Sequence, residues 1–228
     1  MYRFNHEDNE SSILQDHKIN LYQTIKSDIL MGHFTPGSKL KIEVLKKRYG
    51  VGVNVIRESL TRLATEDLVD AENQKGFRVA AVSTSRLSDL SRMRILLETD
   101  GARHSFDNGT IEWESNLLAA HHKLASIEKK MLDDEETYCE TWQEYDGEFH
   151  CALIAACDSQ LHRQYHRRVL DQFRQFVTVD LQTNGFRGSE LIDEHQAILN
   201  AALKRDFPGC VQALEKHLNF FLNRLNGL

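Results

Sequence analysis

From residue 18 onward, apolar side chains recur every three or four positions along most of the chain, the period of helices that turn one face to a core. KINLYQTIKSDILMGHF predicts a first helix, stopped by TPGSKL; KIEVLKKRYG predicts a short second helix ending at Gly50; NVIRESLTRLATEDLV predicts a third. The period then drops to two. LVDAENQKGFRVAAVS reads as a strand, a turn over Asn73 to Gly76, and a second strand alternating Phe77, Val79 and Ala81. Three helices with tight connections followed by a hairpin predict a winged helix-turn-helix over residues 16–83. Beyond Ser83 the hairpin signals stop and six long helical patterns follow, near 84–105, 111–131, 136–157, 159–181, 188–204 and 207–225. The expected fold is therefore mainly α: a winged helix-turn-helix, then an all-α antiparallel helical bundle over 84–228. Residues 1–15 lack any period and are expected to form a flexible arm.

Composition adds limits. At 228 residues, with 41% hydrophobic and 27% charged side chains, the chain is an ordinary globular protein of one large or two modest domains. No apolar run approaches the roughly 20 residues of a membrane span, and the start, MYRFNHEDNESSILQDH, is too acidic for a signal peptide. A soluble, cytoplasmic protein is expected, with no membrane partner. Cys139, Cys151, Cys157 and Cys210 show no CxxC spacing and read as reduced thiols. The net charge of −6 hides an asymmetry: residues 18–82 carry 11 Lys and Arg against 7 Asp and Glu, whereas 83–228 carry 16 against 23. Only the amino-terminal part suits phosphates.

In the third predicted helix, Ile56, Leu60 and Leu63 form a core stripe, and Asn54 and Arg57 project from the opposite side of its first turn. A helix laid in a major groove needs such side chains there, since Asn pairs with adenine and Arg with guanine through two hydrogen bonds each. Lys47, Arg48 and Arg62 are placed for phosphates. Lys75 and Gly76 at the wing tip suit a minor groove or a phosphate. Each has a plainer reading as a solvated surface group, and winged helices also serve as protein-protein modules.

The bundle raises a different question. With Trp142 at 0° and roughly 100° per residue, the apolar side of EYDGEFHCALIA spans about 280° through 0° to 120°, with Asp146 near 40° and His150 near 80° inside it. His195 falls among Leu191, Ile198, Leu199 and Ala202, and His217 among Leu214, Leu218, Phe220 and Phe221. One aspartate and three histidines thus aim at a shared interior. Such a set suits a divalent transition metal (zinc, nickel or manganese), and the i, i+4 spacing lets Asp146 and His150 chelate together. The plainer reading is a core histidine with a hydrogen-bond partner. His162 and His166 also lie at i, i+4 within an apolar arc, and periodicity does not choose between the pairs. His121 and His122 read as flank residues. Arg94 lies on an inner stripe between Leu87 and Leu97, placed either to grip a carboxylate or to pair with Glu98.

YQTIKSDILMGHFTPGSKLKIEVLKKRYGVGVNVIRESLTRLATEDLVDAENQKGFRVA resembles the amino-terminal domain of GntR-family bacterial transcription regulators, in its PG turn, its arginine-glutamate pair and its glycine-tipped wing. The resemblance implies that Asn54, Arg57, Lys75 and Gly76 fall where relatives contact their operator. Gly52, Val53 and Val55 depart from the usual residues, so the operator sequence does not transfer. RILLE, DGEFH, DEHQAILNAALKRD and ALEKHL resemble the FCD effector domain of the FadR branch of these regulators. That resemblance implies Asp146, His150, His195 and His217 as metal ligands, and a small organic acid, a mono- or dicarboxylate bound by the metal with Arg94 and Glu98, as effector. The expectation is a homodimeric, ligand-responsive repressor on a short palindrome of double-stranded DNA. The alternatives are a bundle that only dimerises, without metal or effector, and a metallohydrolase. An enzyme needs a base outside the ligand set, and Glu148 and Glu194 are placed on outer arcs.

Overall fold

The computed structural model describes residues 21–72 and 75–225. The expected arm, the start of the first helix at residues 18–20 and the wing positions Asn73 and Gln74 lie outside the described residues. Two compact units divide at Val82 and Ser83.

In the first unit, helix α1 (residues 21–30) turns Leu21, Tyr22, Ile25, Ile29 and Leu30 inward. α2 (Ile42–Tyr49) contributes Leu45 and ends at Gly50, whose φ of 67° is the left-handed conformation that favours glycine at a helix end. α3 (Val53–Thr65) buries Ile56, Leu60 and Leu63 completely, as the apolar stripe predicts. Three short strands close the unit: β1 (Lys39–Leu40), β2 (Val69–Glu72) and β3 (Gly76–Val79), antiparallel in the order β1-β3-β2. β1 has no sequence signal of its own; two residues are too few for a period, and it forms because Lys39 and Leu40 pair with Arg78 and Phe77 of the hairpin. The expected alternation holds for Phe77 and Val79 but fails at Ala81. β3 ends at Val79, Ala80 is buried and Ala81 is exposed.

The second unit is helical: α4 (Thr84–Asn108), α5 (Ile111–Met131), α6 (Glu135–Leu153), α7 (Gln160–Asn184), α8 (Ser189–Leu203) and α9 (Phe207–Leu225). α5 packs on α6 and α8, α4 on α7 and α9, and α8 on α9. Side-chain oxygens of Ser83, Asp134 and Ser159 cap α4, α6 and α7 by accepting backbone N–H groups. The predicted end of α6 at 157 is corrected to Leu153. Residues 154–156 turn, with Ile154 and Cys157 buried, because the Ser159 cap starts α7 in a new direction. At the α4 contact with this turn, Gly101 leaves no room for a side chain: a Cβ there would stand 2.8 Å from both Cβ and Cγ2 of Ile154.

Candidate functional site

Asn54 and Arg57 stand exposed on the first turn of α3, on the side away from its buried stripe. Lys47 is exposed on α2. Arg48 is already engaged: Nη2 lies 2.9 Å from Oδ2 of Asp28, which also accepts the Tyr49 hydroxyl at 2.5 Å. Arg62 lays its guanidinium 3.8 Å over the Tyr22 ring. Lys75 is exposed in the hairpin turn, and Gly76 has a φ of 98°, which side chains other than glycine rarely adopt.

In the bundle, α6 brings Asp146 and His150, α8 His195 and α9 His217 to one interior point. All four are buried, and one ligand atom from each lies within 4.8 Å of the others. Asp146 Oδ1 is 3.3 Å from Nε2 of His195 and 3.7 Å from Nε2 of His150. Two atoms each about 2.1 Å from one ion stand roughly 3.0–3.5 Å apart, so this spacing suits ligands of a single cation. The rings of His150 and His217 stack at 5.2 Å, and Phe149 presents its ring to His150 and His195 at 5.5 and 5.7 Å.

Behind each imidazole stands a carboxylate. His150 Nδ1 is 2.7 Å from Glu98, His195 Nδ1 is 2.6 Å from Glu128, and His217 Nδ1 is 3.2 Å from Glu194. A carboxylate at Nδ1 fixes the tautomer and turns Nε2 inward as a lone-pair donor. Nε2 of His150, fully buried, has no hydrogen-bond partner among the described residues, and Nε2 of His195 faces only the Asp146 carboxylate, at 3.3 Å. Leaving such groups unsatisfied is costly, and a metal satisfies them.

Charge gives the same result. Four carboxylates, Glu98, Glu128, Asp146 and Glu194, surround the histidines, and two guanidinium groups, Arg94 and Arg187, pair with Glu98 and Glu194. With the Lys216 ammonium 3.9 Å from Glu194 as the third cationic group, the carboxylates still outnumber their cationic partners, an imbalance that suits a cation. His195 takes up part of it: burial lowers its pKa, but Asp146 and Glu128 facing its two nitrogens outweigh burial and raise it to about 9. Burial dominates at His217, pushed down to about 3. Glu98 is held well below the usual range, since Arg94 and His150 outweigh the burial that would raise it.

Arg94 is paired with Glu98, one of its two sequence readings. Its Nε donates to Glu98 Oε1 at 2.7 Å, its guanidinium lies 4.6 Å over Phe173, and its buried Nη2 has no hydrogen-bond partner among the described residues. The pair His162 and His166 does not join the cluster. His162 Nε2 binds the Leu97 carbonyl oxygen at 2.7 Å, and His166 Nε2 lies 3.2 Å from Glu98. Two placements are corrected. His121 is buried edge-on against Phe149, not at a flank. Glu194 is buried, not on an outer arc, because Arg187 donates to both of its oxygens at 3.0 Å and satisfies its charge. Held in that way it is no free base, and Glu148 pairs with Lys123 at 2.9 Å. Sequence reading missed Glu128 altogether. Its signal was available only as a charged residue on the apolar side of α5.

The family pattern described as "Bacterial regulatory proteins, gntR family" matches residues 18–79, and that described as "FCD domain" matches residues 89–220. The uncharacterized HTH-type transcriptional regulator BphR of Paraburkholderia xenovorans is 32% identical over 86% of this chain and 80% of its own length. The HTH-type transcriptional repressor GlaR of Escherichia coli is also 32% identical, over 86% of this chain and 90% of its own. Among solved structures, E. coli McbR/YncC shares the fold with a TM-score of 0.77 at 18% identity, covering 92% of this chain and 97% of that one.

Proposed function

The chain belongs to the gntR family of bacterial regulatory proteins, in its FadR-like branch with an FCD domain, and is a DNA-binding transcriptional regulator; from that premise we propose that it senses a small organic acid through a metal held in its bundle. The observation that carries the reading is the convergence of the Nε2 atoms of His150 and His195 with Asp146 Oδ1, each imidazole being backed by a carboxylate. Asp146, His150, His195 and His217 would hold a divalent transition ion, zinc first, with nickel and manganese as alternatives. Bound there, the ion supplies a positive centre for an anionic oxygen. Arg94 presents its unpartnered Nη2 from the same buried network, suiting a mono- or dicarboxylate.

In the winged helix, Asn54 and Arg57 read bases, Lys47 and Lys75 meet phosphates, and Gly76 lets the wing approach the backbone closely. Arg48 and Arg62 reach phosphates from side chains already oriented by Asp28 and Tyr22. The protein works in the cytoplasm as a homodimer on a short palindrome, since dimeric helix-turn-helix proteins mirror operator symmetry. Acid binding favours a bundle arrangement that changes DNA affinity by about 1–3 kcal/mol, the usual size of such coupling. Repression relieved by ligand is the direction we assign, in keeping with the repressor GlaR among its relatives.

The test is metal analysis of the purified protein, followed by thermal unfolding with C3–C6 mono- and dicarboxylates before and after chelation. A metal-dependent rise in midpoint with one acid supports the sensor. Protein free of metal after purification and unresponsive to added zinc, nickel or manganese would leave a bundle that only dimerises.

A further inference from the structure

Glu98 is fully buried in α4 and touches side chains of α6 and α7 as well as one of its own helix. Its Oε2 lies 2.7 Å from Nδ1 of His150 on α6, and its Oε1 accepts Arg94 Nε at 2.7 Å and faces His166 Nε2 of α7 at 3.2 Å. Glu128 and Glu194 also back histidines of the cluster, but neither touches Arg94: Glu128 meets His195 and leaves Oε2 unpartnered, and Glu194 meets His217 and Arg187. Glu98 is thus the one carboxylate among these three that joins a candidate metal ligand to the candidate acid anchor. A carboxylate whose two oxygens are shared in this way cannot move toward one partner without giving up the other. The i, i+4 relation of Arg94 and Glu98 on one helix fixes the guanidinium, with Phe173 beneath it, so that Nε is spent on Glu98 and Nη2 is left over.

We propose that Glu98 is a positioning residue that couples the two halves of the sensor, orienting His150 toward the metal and Arg94 toward the acid. The proposal rests on the metal-and-acid reading above and adds to it a physical link between the two sites. Metal occupancy then favours the Arg94 orientation that receives the acid, and acid binding tightens the metal by the same factor, as linkage requires.

The test uses the full chain with Co2+ and Zn2+ as metal probes and the same carboxylate panel as acid probes. Metal affinity is read by Co2+ absorption and chelator competition, and the acid response by thermal shift at saturating metal. Glu98→Gln is expected to weaken metal binding about 10- to 100-fold, the usual effect of removing a carboxylate behind a ligating histidine, and to lose the acid shift even when metal is saturating. Glu128→Gln, which disturbs a histidine but not Arg94, is expected to weaken metal similarly and keep the acid shift once saturated. Glu98→Asp keeps the charge but is too short to reach both partners; it should show the same double loss and serves if Glu98→Gln does not fold. Unchanged metal affinity in the Glu98 variants overturns the positioning of His150. A wild-type acid shift in metal-saturated Glu98 variants overturns the coupling. Failure of the acid reading looks different: wild-type protein then binds metal yet responds to no acid of the panel, and the Arg94 half of the proposal falls with it.

Discussion

At the scale of single residues, each half of the molecule depends on groups whose neighbours set their chemistry. Arg57 stands exposed on α3, so Arg57→Ala should weaken specific DNA binding by about 1–3 kcal/mol, measured by anisotropy on a selected operator; an unchanged affinity removes it from the reading set. His195 is fully buried between Glu128 and Asp146. His195→Ala should lower metal content and the acid response while leaving operator binding without ligand largely intact. Retention of wild-type metal content would shift attention to other donors. Asp28 gives a pH dependence in the winged unit. Burial alone would raise its pKa, but the Tyr49 hydroxyl, His33 and Arg48 together hold it below 3.8. A depressed folded pKa contributes stability that is present above the unfolded value and lost as pH falls through the folded one. Asp28→Asn should therefore cost about 1–2 kcal/mol at neutral pH, the worth of a charge-assisted hydrogen bond, and the difference from wild type should shrink in urea titrations below pH 4.

At the scale of elements, the helices were legible because each buries a continuous apolar stripe, and five of the six predicted bundle helices end within three residues of their observed termini. α6 ends four residues early, because the buried turn beneath Ile154 and the cap at Ser159 depend on what α4 and α7 place around them. The close approach of α4 to that turn makes a prediction at this scale. Gly101→Ala would gain about 1 kcal/mol of helix propensity but force a methyl group against Ile154, whose branched Cβ lies too near the backbone to swing aside. The net outcome should be a loss of about 1–2 kcal/mol of bundle stability by chemical denaturation, since overpacking typically costs 1–3 kcal/mol. A stabilised variant would show that the two elements can separate without cost.

At the scale of the whole molecule, DNA reading and the proposed sensing fall to different units of one chain, so removing the proposed metal should affect them unequally. Chelation is expected to lower the thermal midpoint of the bundle, because a native-state ligand at 100 times its Kd stabilises by about 2.7 kcal/mol. Operator affinity without acid should persist; its collapse on chelation would mean that the ion organises the DNA-binding state itself. The sequence alone determined the class of the protein. Period and turn chemistry predicted a winged helix followed by a helical bundle, charge favoured the first for phosphates, and arc positions turned Asp146, His150, His195 and His217 inward, as they did His162 and His166, because a helix face is a local property of 3.6-residue spacing; the resemblance in motif, not the period, singled out the four that meet. Which partners stand behind those faces is not local. Glu128 on α5, Glu98 bridging α4 to α6, and Glu194 turned inward by Arg187 come together only through packing between helices distant in sequence. Tertiary structure therefore decided which carboxylate faces each histidine, the charge balance of the interior and the link between His150 and Arg94, since each is a sum over neighbours that no single helix carries.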